Sequence, residues 1–128
     1  MMLGEAEEAI VALEGSIEVA RESRTGREGE PMRLALLSEA KLSLGDRRHA
    51  LKSAQRAVAI ATEQGSAVFL PLSYRVLAEA LLAGEDANGT VAAQAALESA
   101  RAAVEATGVR AELPFIERAR EKLIPASA

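Results

Sequence analysis

The side chains best equipped for chemistry are few in this chain. Cysteine is absent and His49 is the single histidine, so thiolate nucleophiles, disulfides and thiolate metal sites are excluded. His49 sits beside Arg47, Arg48 and Lys52, and a metal or general-base role would need partners of the right type close by. It reads as a solvent-facing helix residue. Glu7, Glu8 and Glu14 could be imagined as paired carboxylates for acid–base work, but exposed helical positions hold no two pKa values apart. The segment Gly84 to Gly89 has two glycines without the spacing, or the preceding strand, of a phosphate-cradling loop, and reads as a turn. No catalytic residue, metal ligand or cofactor site is assigned. Two charged features remain. Arg48, Lys52 and Arg56 recur at four-residue steps and form a basic stripe that could meet phosphate or an acidic partner, although a solvated outer face explains it as well. Arg75 and Glu79, also four apart, can pair with each other or face a ligand.

These side chains must be positioned by helices. Apolar residues make up 49% of the 128, enough to bury the core of one domain without metals or cross-links. The apolar set is mostly Ala, Leu, Val and Ile, with Phe69, Tyr74 and Phe115 the only aromatics, which suits closely packed helices rather than sheets. From Glu5 to about Ser23, Ala6, Ala9, Ile10, Leu13, Ile17 and Ala20 recur at three- and four-residue steps, one face of a helix. Thr25 to Glu30 reads as a loop, and a second helix runs from about Pro31 to Leu44 with Leu34, Leu37 and Leu42 turned inward. Gly45 and Asp46 suit a helix end and the next N-cap. A third helix, about Arg47 to Gln64, carries Ala50, Leu51, Ala54, Ala57, Val58 and Ala61 on its buried side and stops at Gly65. A fourth covers about Val68 to Ala83, carries Leu70, Leu77 and Leu81 and ends at Gly84, with Glu85 to Gly89 as a longer turn after it. A fifth reaches Thr107 through Ala93, Leu97, Ala100 and Val104, and a sixth spans about Pro114 to Ile124. The expectation is an all-α fold of about six helices.

The order is repetitive. Pro31, Pro71 and Pro114 each open an amphipathic stretch, at spacings of 40 and 43 residues, the period of stacked helical hairpins. Leu36 to Ala61 carries Leu37 and Ser38 in large-then-small order, Gly45-Asp46 at a turn, and Ala50, Ala54 and Ala57 at small-residue positions where two helices cross tightly. This segment resembles a tetratricopeptide unit. Arg75 to Val104 follows with Leu77 and Ala78 in place and the turn lengthened by Glu85–Gly89. Leu34 stands where the common motif has Trp, Lys41 where it has Tyr, and its closing proline is missing. With its period above 34, the pattern is more similar to the divergent repeats of large bacterial ATP-dependent regulators and signalling proteins. The resemblance implies a right-handed α-solenoid of antiparallel hairpins, a single domain over 1–128 with units at about 4–30, 31–65 and 66–108 and a capping helix at 110–124. It also implies a groove lined from the first helix of each hairpin: Met32, Ala35 and Glu39, then Leu72, Arg75 and Glu79, then Phe115, Arg118 and Lys122. The Lys and Asn clamp with which the family grips C-terminal carboxylates has no counterpart here.

The expected function is therefore a non-catalytic protein or peptide interaction or scaffold module that can also assemble with itself as a homodimer, part of or accessory to a bacterial regulatory or signalling protein. A small-molecule sensor with an apolar cavity among the second, fourth and sixth helices is the other reading. The first helix matches the second helix of a hairpin whose first helix is missing, so Val11, Gly15 and Val19 form a self-association stripe that another chain, including a second copy, would cover, unless the chain is the tail of a longer protein. Residues 1–30 hold eight acids against three bases, whereas 31–65 hold six bases against three acids, an asymmetry that reads as two differently solvated faces. A net charge of −4 disfavours a nucleic-acid partner. Glu5, Glu7 and Glu8 stand where a secretory leader would be basic, and no apolar run approaches the ~18 residues of a membrane span. The expectation is a soluble, cytoplasmic protein.

Overall fold

The computed structural model describes residues 3–23, 27–84 and 86–123. Six α-helices and no strand occur among them: α1 (Leu3–Ser23), α2 (Glu30–Ser43), α3 (Arg47–Gln64), α4 (Leu70–Leu82), α5 (Ala87–Thr107) and α6 (Leu113–Glu121). Short 3-10 turns, Arg27–Gly29 and Ala67–Phe69, lead into α2 and α4. The most extensive contacts join α2 to α3 and α4 to α5; α1 packs on α2, α3 on α4 and α5 on α6, while α2 also touches α4 and α4 touches α6.

Pro31, Pro71 and Pro114 each sit in the first turn of a helix, where the missing N–H has no intrahelical acceptor to lose. Asp46 caps α3 by accepting from the His49 N–H, and Gly65 (φ 67°) and Gly108 (φ 74°) end α3 and α5 in the left-handed region that glycine enters without a Cβ clash.

Four boundaries differ from the sequence expectation. Glu30, read as loop, is the first residue of α2 and is buried, because its carboxylate accepts from Arg21 Nε at 2.8 Å and ties α1 to α2. The long turn expected over Glu85–Gly89 is cut short: Ala87, Asn88 and Gly89 already belong to α5, whose N-cap Asp86 accepts from the Gly89 N–H, and Glu85 lies outside the described residues. Gly89 can sit there because it lacks a Cβ, which would press on the Leu81 carbonyl. The fourth helix begins at Leu70 rather than Val68 and ends at Leu82. Gly84 is not its terminator but makes room for Arg47, whose guanidinium an added Cβ would strike. From there Arg47 Nε donates to the Ala80 carbonyl at 3.2 Å, satisfying one of the last carbonyls of α4. Finally α6 stops at Glu121; Ile124, placed at its end from sequence, lies outside the described residues.

The core is in two parts. Ile17, Leu34, Ala35, Leu37, Ala54, Ala57 and Val76 form one; Ala78, Ala93, Ala96, Leu97, Ala100, Val104, Ile116 and Ala119 form the other. Ala50, Ala54, Ala57 and Ala61 of α3 are fully buried, so α2 and α3 approach closely enough for Ser38 Oγ to donate to the Ala50 carbonyl at 2.7 Å. This closeness gives a test. Ala54→Leu would force three extra carbons into a filled crossing and is expected to cost about 1–3 kcal/mol. A melting temperature equal to that of the parent chain would contradict the packing.

Candidate interaction site around Arg75

The fold gathers one charged cluster from three helices. Leu72, Arg75 and Glu79 lie at helical spacing on α4, between α2 and α6. Arg75 is 96% buried by its neighbours, with only 4% of its surface exposed, and every direction of its guanidinium is used. Nη1 donates to Glu39 Oε2 of α2 at 2.7 Å and to Glu79 Oε2 at 2.6 Å. Nε donates to Glu112 Oε1 at 3.0 Å, and Nη2 lies 3.0 Å from the same oxygen. The ring of Phe115 sits 5.0 Å from the guanidinium carbon, with Arg118 at 5.8 Å from the same ring, a geometry in which the ring face attracts cations. Lys122 Nζ closes the rim at 3.8 Å from Glu79.

Burial by itself would push the Arg75 pKa down, but hydrogen bonds and attraction from Glu39 and Glu79 reverse this and hold it above the ordinary arginine value. A cation raised in this way adds stability that is full below its ordinary value and is lost as pH climbs through the raised one, so the alkaline limit of the cluster lies beyond the range in which proteins fold. A buried charge of this kind is tolerated because each donor has a partner; among the described residues no buried side-chain nitrogen or oxygen lacks one.

Of the row expected from sequence, Met32 and Phe115 are exposed apolar side chains, and Glu39, Glu79 and Lys122 reach the surface. Arg118 is exposed and Leu72 is half-buried. Ala35 is corrected: it is fully buried in the core beside Leu34 and Leu37, because the first core cluster reaches under the row at that point. Arg75 is corrected too, from a groove residue open to a partner to the buried hub that holds the row together. Spacing anticipated its pairing with Glu79. It did not find Glu112, which is 37 residues away, and the one signal available was an acid just ahead of the Leu113-Pro114 helix start, as Glu30 is ahead of Pro31. Leu36, exposed one turn from Met32, was also missed.

No family model matches the chain. No curated protein and no solved structure matches it either.

The remaining sequence candidates are scattered. His49 and Asp46 pair with each other at 2.9 Å on the surface, and hydrogen bonds from the His49 side chain and backbone hold the Asp46 carboxyl below its usual value. Arg48, Lys52 and Arg56 are exposed, as are Glu7, Glu8 and Glu14, Glu14 lying 4.0 Å from Lys41. Val11, Gly15 and Val19 are exposed on α1. Among the described residues no group of three or more acids or histidines is arranged to hold a metal ion, and no helix is long and apolar enough to cross a membrane. The Arg75 cluster joins partly exposed carboxylates and the cations of Arg118 and Lys122 to an exposed aromatic ring.

Proposed function

We propose that the chain is a non-catalytic, protein-binding module of a bacterial regulatory or signalling system, built as a right-handed tetratricopeptide-like solenoid and working in the cytoplasm. Its recognition surface is the row along α2, α4 and α6, and the partner is a peptide or helix of another protein. The observation that carries this reading is the Arg75 cluster. A buried arginine fixes three carboxylates and a phenylalanine from separate helices in one rigid constellation, with Met32 and Leu36 exposed alongside. Apolar anchors then supply affinity and the fixed charges set register. The small-molecule reading called for an apolar cavity among α2, α4 and α6; Arg75 and its carboxylates lie between those helices, and two grooves lie elsewhere, between α5 and α6 and between α1, α2 and α3.

A test is selection from a displayed random-peptide library on the immobilised chain. Enriched peptides are expected to share an apolar residue flanked by charges, and Phe115→Ala, with an unchanged circular dichroism spectrum, is expected to weaken them by about 2 kcal/mol, as loss of an aromatic anchor does. Enrichment that ignores Phe115 and Met32 alike would defeat the proposal.

A further inference from the structure

The outer face of α1 has a different character from the row around Arg75. Ile10, Leu13 and Ile17 turn inward against the core, yet Val11 and Val19 are 73% and 62% exposed, with Ala12 and Gly15 exposed between them. Val11, Gly15 and Val19 recur every four residues and so make one apolar seam along the helix. A Cβ added at Gly15 would meet nothing within 4 Å, so no packing inside this chain calls for a glycine there. Around the seam α1 carries six glutamates, Glu5, Glu7, Glu8, Glu14, Glu18 and Glu22, all exposed. Its one base, Arg21, is bound to Glu30 at 2.7 Å. A depression of about 350 Å³ on the seam is walled by Glu7, Glu8, Val11 and Ala12; beside it, a groove of about 520 Å³ between α1 and α2 is rimmed by Glu14, Glu18 and Glu22 together with Arg21 and Lys41.

We infer that this face of α1 docks an amphipathic helix of another protein that carries a narrow apolar seam between lysine or arginine flanks. Charge decides the occupant. Two copies meeting through α1 would set glutamates against glutamates, and like charges across an interface cost affinity. The basic stripe of α3 in a second copy, Arg48, Lys52 and Arg56, offers opposite charge but no exposed Val, Ile, Leu or Phe on that helix to cover the valines. A basic amphipathic helix satisfies both demands, covering the seam with its apolar residues while its cations meet the acidic flanks. The inference goes beyond the reading of the α2, α4 and α6 row and does not depend on it.

The probe is a labelled synthetic helix with an alanine and leucine seam between lysine flanks, followed by fluorescence anisotropy at low and at physiological salt. Binding is expected, weakening as salt rises. Val11→Gln with Val19→Gln, and separately Glu7→Gln with Glu18→Gln, are each expected to weaken it at least about tenfold. Phe115→Ala should leave it unchanged, so that failure here and failure at the Arg75 row are told apart. The four positions replaced on α1 are exposed, and circular dichroism checks that α1 persists. Equal binding of a scrambled peptide of the same composition would overturn the inference, since charge alone would then explain it. So would a dimer in light scattering over a concentration series that the valine variant dissolves, because a second copy would then occupy the face.

Discussion

Replacing Arg75 by alanine is expected to lower the unfolding free energy by about 3–5 kcal/mol, a large part of the stability of a domain this size. The loss has two sources. Glu39, Glu79 and Glu112 converge on one guanidinium within 3.0 Å; without it they become like charges held close together and partly out of water. Alanine also leaves a void where the guanidinium faces Phe115. Urea melts of Arg75→Ala and of the triple variant with Glu39→Gln and Glu112→Gln separate the two. Neutralising the acids should recover a good part of the loss if stranded charge dominates, and little if the void does. A single-variant loss below about 1 kcal/mol would mean that the cluster behaves as an exposed surface pair and does not organise the three helices.

The second large effect is expected at Ile116. It is fully buried in the cluster formed with Leu97, Ala100 and Val104 of α5, and it is the largest fully buried side chain of α6. Ile116→Ala should cost about 2–5 kcal/mol, since the cavity forms beneath a short helix that can collapse only partly. Native-state hydrogen exchange is the informative measurement. Amides of α6 should lose protection well before those of α2 and α3, because α6 is a short helix that packs mainly on α5 and α4, against the second core cluster. The two predictions are also linked. Glu112 and Phe115 reach Arg75 only while α6 is seated, so Ile116→Ala and Arg75→Ala should combine to less than their sum. Strict additivity would show that α6 is held independently of the cluster.

How far each feature could be read in advance follows from how local its cause is. The six helices were legible because their inward faces repeat at three and four residues, and because Pro31, Pro71, Pro114, Gly65 and Gly108 punctuate them. The alanine face of α3 was legible for the same reason. Glu85–Gly89 misled, since asparagine and glycine suggest a turn by composition, whereas the Asp86 cap and the close approach of Gly89 to α4 place them in a helix. Gly84 looked like a stop signal and is spacing for Arg47, a residue 37 positions earlier in the chain.

The candidate site divides in the same way. The tetratricopeptide resemblance implied a row of Met32, Ala35, Glu39, Leu72, Arg75, Glu79, Phe115, Arg118 and Lys122, and spacing within a helix could join Arg75 only to Glu79. The packing of α2, α4 and α6 decided the rest, that Glu39 and Glu112 close on the same guanidinium, that Phe115 stacks beside it, and that Ala35 sinks beneath the row. Amino-acid sequence by itself determined which residues share a face of each helix, since that depends on 3.6 residues per turn and neighbours a few positions away. Which faces meet, and therefore which charge is buried, was decided only by tertiary structure, because that depends on contacts between residues 36 and 37 positions apart that no local pattern encodes.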